Sequence, residues 1–354
     1  MSEYYDGTKL LSLSDINGNK PEIYICESNR SAGKTTYFTR LAVNRFIKNA
    51  QKFAFLYRFN YELKDCSDKI FKDVQSLFFQ DYFMTSKPAA KGIYHNLYLS
   101  KTGEPDSIRH CGYAISINTA DQIKRLSHLF SDIDLIIFDE FQSETGRYCN
   151  DEIKKFTSIH TSIARGQGKQ VRYVPVIMIS NPISIINPYY TVMGISTRLS
   201  TNTKFLRGSG FVLEKNFNDA VSREQKASGF SQAFSNTKYL SYVTDNIYLN
   251  DNSVFISDTK NFGKAVYIAT VKYHDKEYGI KQYPQAGILY CDLTPDITHP
   301  LKIALTTADH QINYIILKSN DLFIADMRYY FNRGCFRFKN LECKEVIFTL
   351  LGIS

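Results

Sequence analysis

The chain has 354 residues, a formal charge of +8, and 44% hydrophobic against 22% charged residues. That length exceeds what one interior usually serves and predicts two domains, while the hydrophobic content without low-complexity tracts excludes a largely disordered chain. The positive charge favours an anionic partner such as nucleic acid without establishing one, since many basic proteins bind nothing.

Residues 22–26 form a short apolar run, and residues 34–48 place Phe38, Leu41, Ala42 and Phe46 at helical spacing, which predicts strand, loop and helix in that order. Residues 52–58 are nearly continuously apolar and predict a strand in a sheet covered on both faces, hence α/β layering. Residues 91–117 alternate aromatic and polar residues around Thr102-Gly-Glu-Pro105 and predict an antiparallel hairpin inserted beside the main sheet. Thr119-Ala-Asp-Gln122 matches a capping box that opens a helix to about residue 130. A strand over 134–138, a helix over 152–164 and a strand over 171–180 follow, the last bounded by Asn181-Pro182 and Asn187-Pro188.

From residue 200 to 234, Ser, Asn, Thr, Gly and Lys dominate, which reads as a linker. Beyond it, aromatic-rich strands at 253–256, 265–273, 278–281 and 286–291 precede helices at 320–333 and 340–351, the pattern of a small α+β domain.

Between the first strand and helix stands Ser28-Asn-Arg-Ser-Ala-Gly33-Lys34-Thr35. A phosphate loop works because successive backbone N–H groups converge on an anion at a helix N-terminus, while Lys and Ser/Thr complete the contacts to phosphate and Mg²⁺. The Gly-Lys-Thr end is intact, and Ser28 replaces only the first glycine, at the cost of whatever positive φ that glycine would supply. Arg30 adds a cation inside the loop. Taken alone, the tripeptide is also compatible with a chance match at a helix start.

Asp134-Leu-Ile-Ile-Phe-Asp139-Glu140 adds weight, as an apolar strand ending in two acids. The first can hold Mg²⁺ and the second can orient and deprotonate an attacking water. The expected nucleotide-binding set is Ser28, Asn29, Arg30, Ser31, Ala32, Gly33, Lys34, Thr35, Thr36, Asp139, Ser180 and Asn181, with Thr35 and Asp139 on Mg²⁺. ATP is the expected nucleotide, because no Asn-Lys-x-Asp guanine-reading motif occurs. Ser180 and Asn181, at the polar end of their strand, can sense the γ-phosphate, although Asn181-Pro182 also reads as a turn. Arg165, in Ser162-Ile-Ala-Arg-Gly-Gln-Gly-Lys169, can reach a neighbour's active site, although helix-terminal arginines commonly only offset the dipole.

The loop with its internal Arg30, Ile136-Ile-Phe-Asp-Glu-Phe141, and Ile179-Ser-Asn-Pro-Ile-Ser-Ile-Ile-Asn-Pro-Tyr-Tyr190 together resemble the DNA-packaging ATPases of small protein-primed tailed phages, the phi-twenty-nine type. The likeness continues through Asn252-Ser-Val-Phe-Ile256, Gly287-Ile-Leu-Tyr-Cys-Asp292, Ala304-Leu-Thr-Thr-Ala-Asp309 and Gly334-Cys-Phe-Arg-Phe338, nearly the whole chain. The resemblance implies a terminase-like P-loop ATPase of the additional-strand, RecA-like type, with a mostly parallel sheet covered by helices. It implies an ATPase domain over 1–200, a linker or lid over 201–234, and over 235–354 a C-terminal domain resembling an RNase H-like fold with its nuclease function lost.

In that family's terms Lys34 contacts phosphates, Thr35 and Asp139 hold Mg²⁺, Glu140 is the catalytic base and Arg165 is the trans-acting arginine finger. Arg58 also matches a family arginine, with a surface ion pair as the alternative. Asn60 stands where the family carries a lysine, so no DNA-gripping role transfers there.

The implied partners are double-stranded DNA, the portal of a procapsid and further copies of this chain in a ring, a pentamer by resemblance. Whether a structural RNA joins motor and portal stays open. Asp292, Asp296 and Asp326 are the acids a two-metal nuclease would recruit, but a turn-capping Asp292 explains that residue as well. The other functions that remain are an assembly protein with a structural nucleotide pocket and a terminase with an active nuclease. Lys91, Lys101 and Arg109 on the hairpin are the candidate DNA-gripping cations.

Seven cysteines stand singly, as expected of a reducing compartment, and the polar start Met1-Ser-Glu-Tyr-Tyr-Asp6 has no signal-peptide blocks. No run nears the ~20 apolar residues of a bilayer span. The expectation is a soluble protein of the host cytoplasm, transiently at the portal vertex, with no membrane partner.

Overall fold

Short apolar runs buried on both faces form the centre of a nine-stranded sheet. The computed structural model describes residues 5–166, 168–185, 187–196, 198–199, 203–234, 255–259 and 261–352. In chain order, α1 (Thr8–Ser12), β1 (Ile23–Glu27), α2 (Lys34–Asn49), β2 (Lys52–Tyr57) and α3 (Cys66–Phe78) come first. β3 (Tyr82–Ala89), β4 (Tyr94–Lys101), β5 (Glu104–Ser116), α4 (Ala120–Arg125), β6 (Ile133–Asp139), α5 (Glu152–Ile163), β7 (Val176–Ser180) and α6 (Pro188–Val192) follow. β8 (Phe205–Gly208), β9 (Phe211–Lys215), α7 (Asp219–Ala227) and α8 (Gly229–Ala233) precede β10 (Val266–Tyr273), β11 (Lys276–Tyr283), β12 (Ile288–Asp292) and β13 (Lys302–Ala304). The last elements are α9 (Leu322–Asn332), β14 (Phe336–Phe338) and α10 (Leu341–Leu351).

The chain divides into two units, Met1–Ser184 with Ser200–Leu249, and Ile185–Leu199 with Asn250–Ser354. In the first, the strands from β5 through β2, β6, β7 and β1 to β9 run parallel, and β3-β4-β5 and β8-β9 are antiparallel. β7 therefore lies between the strand leading to the phosphate loop and the strand bearing the two acids. On one face Cys26, Phe55, Ile137 and Ile179 pack with Phe38, Ala42 and Phe46 of α2 and Ile70, Phe71 and Val74 of α3, the apolar stripe of each helix facing the sheet.

Several elements differ from expectation. The hairpin is an integral part of the sheet: Gly112 to Ser116 of β5 pair in parallel with Phe53 to Tyr57 of β2. Gly112 is required there, because a Cβ would meet the Phe53 carbonyl oxygen at 2.0 Å. α3 and β3 were not anticipated. α4 ends at Arg125, and the Thr119 hydroxyl donates to the carbonyls of Ser116 and Ile93 instead of accepting from the helix, so the capping box does not form. β7 begins only at Val176, because Val171 is exposed and Pro175, though buried, has no N–H to give to the ladder.

Within the stretch read as a linker over 201–234, the described residues, 203–234, include two strands and two helices. β8 and β9 extend the sheet, with β9 parallel to β1, because Phe211-Val-Leu-Glu214 is a buried run hidden among polar neighbours.

In the second unit the sheet order is β13-β10-β11-β12-β14, with β10, β11 and β12 antiparallel and β13 and β14 parallel to their neighbours. α9 and α10 supply Ile324, Met327, Val346, Ile347 and Leu350 to its core. Of the strand expected at 253–256, residues 253 and 254 lie outside the described residues, and Ile256 forms a single bridge to Phe338. No helix among the described residues is long and apolar enough to cross a membrane.

Candidate functional site

Where β1 stops, the chain turns through residues 28–33 into α2. The left-handed conformations of this turn fall on Ser31 (φ 63°) and Gly33 (φ 91°), not on Ser28. Ser28 therefore does not bear the backbone cost expected of it. It is fully buried, and its amide donates to the Ser180 carbonyl at 3.4 Å. The glycine that the turn needs is Gly33, immediately before the helix, where α2 directs its N-terminus at the loop.

Lys34 is buried and its Nζ donates to the carbonyls of Ser28 at 2.9 Å and Asn29 at 3.0 Å, and to Asn181 Oδ1 at 3.1 Å. Burial pulls its ammonium below the usual lysine range. Thr35 Oγ1 donates to Asp139 Oδ2 at 2.7 Å. Burial pushes the Asp139 carboxyl above its usual range, against the opposing influence of the Thr35 hydrogen bond and the Lys34 charge. Four elements, β1, α2, β6 and the end of β7, thus bring Lys34, Thr35, Asp139 and Asn181 to one edge of the sheet.

Glu140 follows in a left-handed conformation (φ 55°), and its amide donates to Asp139 Oδ1 at 3.0 Å. Its carboxyl, still reachable by solvent, is pushed upward first by lost hydration and then by the charges of Asp139 and Glu144. Ser180 turns its hydroxyl to the Asn181 carbonyl at 2.7 Å, so the Asn181 amide is the group of this pair that meets Lys34. Arg30 is exposed and approaches Glu144 at 3.4 Å. Ala32 is buried, and its carbonyl accepts from the Tyr5 amide at 2.8 Å.

Gly33 and Thr36 open onto a cavity of about 370 Å³ lined also by Tyr5, Asp6, Tyr37, Arg40, Leu77 and Phe78. Arg40 lies over the Phe78 ring at 4.2 Å.

Arg58 is not part of a surface ion pair. It is buried, its Nε sits 3.1 and 3.0 Å from the two oxygens of buried Glu152, and its guanidinium donates to the carbonyls of Phe141 at 2.6 Å and Glu140 at 3.4 Å. Arg58 thereby fixes the backbone that follows the acids to β2 and α5. Arg165 is exposed just past α5 and lines a separate groove with Lys124, Lys154, Thr157, Thr161 and Ser162. Within one chain it is not part of the cluster at Lys34.

The three hairpin cations do not form one patch. Lys91 precedes β4 and Lys101 ends it, roughly 26 Å of strand away. Lys101 pairs with Glu104, and Arg109 covers the Phe46 ring. Asn60 is exposed.

Sequence reasoning missed Glu152, whose buried charge has no local pattern, and Asn218. The Asn218 amide donates to Asn29 Oδ1 at 3.0 Å, and its carbonyl accepts from Asn29 Nδ2 at 3.2 Å. Its side chain caps α7 by accepting from the amides of Ala220 and Val221, a signal legible in Asn218-Asp-Ala.

In the second unit, Asp292 is held by Lys281 Nζ at 2.6 Å and by the hydroxyl and amide of Thr294. Asp296 caps Thr298, and Asp326 is exposed on α9. Among the described residues no group of three or more His, Cys, Asp or Glu could hold a metal ion.

The family described as Podovirus DNA encapsidation protein (Gp16) matches residues 1–353. A DNA packaging protein of Bacillus phage phi29 is 23% identical over 353 residues, 99% of this chain and 97% of its relative. That of Bacillus phage B103 is 25% identical over 317 residues, 88% and 90% of the two chains. A solved structure described as the bacteriophage Phi-29 viral genome packaging motor assembly superposes with a TM-score of 0.68 at 22% identity, over 99% of both chains, a likeness of fold.

Proposed function

Because the chain belongs to the podovirus DNA encapsidation (Gp16) family, we propose that it is the ATP-driven translocase that moves double-stranded DNA into a procapsid, working as a homomeric ring at the portal. The observation that carries this reading is the convergence of Lys34, Thr35, Asp139 and Asn181, with Thr35 Oγ1 and Asp139 Oδ2 2.7 Å apart. Such a cluster at a helix N-terminus places a cation, a hydroxyl, a carboxylate and an amide where backbone N–H groups already favour an anion. The interposed β7 supports the additional-strand type of P-loop ATPase.

The Thr35 hydroxyl and Asp139 carboxylate are hard oxygen donors 2.7 Å apart, and the carboxylate has lost part of its hydration, so the pair fits Mg²⁺. Mg²⁺ bound there would neutralise charge on the β- and γ-phosphates. The chain's own groups divide the remaining work. Lys34, now held by two loop carbonyls and Asn181, transfers its ammonium to phosphate oxygens. Asn181 stays beside it as a neutral hydrogen-bonding sensor. Glu140, with its raised affinity for a proton, accepts one from the attacking water. The cavity beside Gly33 and Thr36, with Tyr37 and the Arg40–Phe78 pair, has the volume and aromatic lining to take the adenine base.

Arg165, exposed and remote from Lys34, is suited to a neighbour's nucleotide rather than its own. For the second unit we favour an RNase H-like domain without nuclease activity, supported by the antiparallel β10-β11-β12 with β13 parallel beside β10, and by the Lys281 clamp on Asp292. β14 departs from that pattern by pairing with β12. The test is phosphate release by the purified oligomer with and without duplex DNA and procapsids. DNA-stimulated, magnesium-dependent turnover is expected, and its absence in the presence of bound duplex removes the translocase reading.

A further inference from the structure

Gln142 stands two residues beyond Glu140 and is 1% exposed. Its Nε2 donates to Glu27 Oε1 at 2.8 Å, while its Oε1 accepts from the backbone amides of Ile183 at 3.2 Å and Ser184 at 2.9 Å. Glu27, fully buried, is the last residue of β1, where the phosphate loop begins. Ile183 and Ser184 lie just beyond Asn181. One side chain thus ties together the segments that leave β1, β6 and β7, which carry the loop, the acids and Asn181.

The amide has one favourable orientation. Flipped, its NH₂ would face two N–H donors and its oxygen would face a carboxylate. Glu27 therefore sets the direction of the Gln142 amide, and the Gln142 oxygen then sets the position of the backbone after Asn181. An apolar side chain could fill the same volume, but it would leave two amides without this acceptor.

We infer that Gln142 is a positioning residue for nucleotide hydrolysis, acting through Asn181. The Asn181 oxygen reaches Lys34 Nζ at 3.1 Å, and that contact depends on where residues 183 and 184 are held. Misplacement of a catalytic contact by ~1 Å costs on the order of a hundredfold in rate. The inference rests on the reading of Asn181 as the γ-phosphate sensor.

The test uses steady-state hydrolysis by the DNA-bound oligomer, with Gln142→Met as the near-isosteric variant and Gln142→Leu as the second should the first not fold. Gln142→Met is expected to keep KM within about threefold and lower kcat by roughly tenfold or more. In combination with Asn181→Ala it is expected to slow turnover no further than Asn181→Ala alone, because both act on one contact. Glu27→Gln, which keeps an acceptor, is expected to lose less kcat than Glu27→Leu.

Multiplicative losses in the double variant, a proportional rise in KM, or an unchanged kcat in Gln142→Met overturns the inference. If Asn181→Ala itself leaves kcat intact, the sensor reading falls and takes this inference with it. If Asn181→Ala is slow while Gln142→Met is not, the inference alone falls.

Discussion

The Thr35 hydroxyl donates a 2.7 Å hydrogen bond to the Asp139 carboxylate, across a stretch of sequence that holds five strands of the sheet, β2 to β6. Thr35 sits in the first turn of α2, and Asp139 closes a strand whose apolar residues Leu135 to Phe138 are buried without its help. Asp139→Asn removes a charge and keeps the shape. It is expected to leave the thermal midpoint unchanged or slightly raised, because a buried carboxylate is costly, and to lower turnover on the order of a hundredfold at saturating Mg²⁺. Unaltered turnover in Asp139→Asn would remove it from the metal site.

Glu140 carries backbone strain in addition to its carboxyl. A left-handed residue other than glycine costs about 1–2 kcal/mol, part of which glycine returns through its freer unfolded chain, so Glu140→Gly is expected to exceed Glu140→Gln in stability by about 0.5–1 kcal/mol. Both variants are expected to bind nucleotide and lose hydrolysis by roughly 10²–10⁴. Calorimetry and a single-turnover assay on the two proteins separate these effects. A glycine variant no more stable than the glutamine one would mean that the local turn is not strained.

Arg58 and Glu152 form a buried pair at 3.0 Å whose loss leaves an uncompensated charge. Arg58→Ala and Glu152→Ala are each expected to destabilise the first unit by about 3–5 kcal/mol. Turnover should fall as well, since the Glu140 and Phe141 carbonyls lose their anchor. Urea titration of both single variants and of the double checks this, the double being expected to be less destabilised than the sum.

The parts of the site that depend on local chemistry were legible in the sequence. Gly33-Lys-Thr at a helix start and Asp139-Glu140 at a strand end are each set by residues adjacent in the chain, and so were β1, β2, β6 and the α9 and α10 helices. What escaped notice was set by distant partners. β9 reads as a polar stretch because only Phe211, Val212 and Leu213 signal it, and its burial comes from pairing with β1. For Arg58 the sequence leaves a surface ion pair open as an alternative, because its buried partner Glu152 is 94 residues away and is brought beside it by α5. Local analogy assigns the positive φ to position 28, whereas the turn takes that conformation at Ser31 and Gly33, which depends on how the loop closes onto α2.

In the ring proposed above, Arg165 would make the strongest demand on assembly. Its groove contains no group of the phosphate site, so an isolated subunit does not bring Arg165 to its own nucleotide, and catalysis that depends on Arg165 requires a neighbour. Arg165→Ala retains a complete pocket but donates nothing, and Lys34→Ala donates an arginine but has a disabled pocket. Neither oligomer alone is expected to turn over. When subunits are mixed in equal amounts before assembly, about a quarter of the seams pair an intact pocket with an intact arginine, so hydrolysis is expected to recover to that order if seams act independently. Cooperation between seams lowers the recovered fraction without abolishing it, and a titration of the mixing ratio, peaking at equal amounts, distinguishes this from contamination by active protein. Turnover in the Arg165→Ala oligomer alone, or none at any mixing ratio, would show that this arginine does not act across the seam.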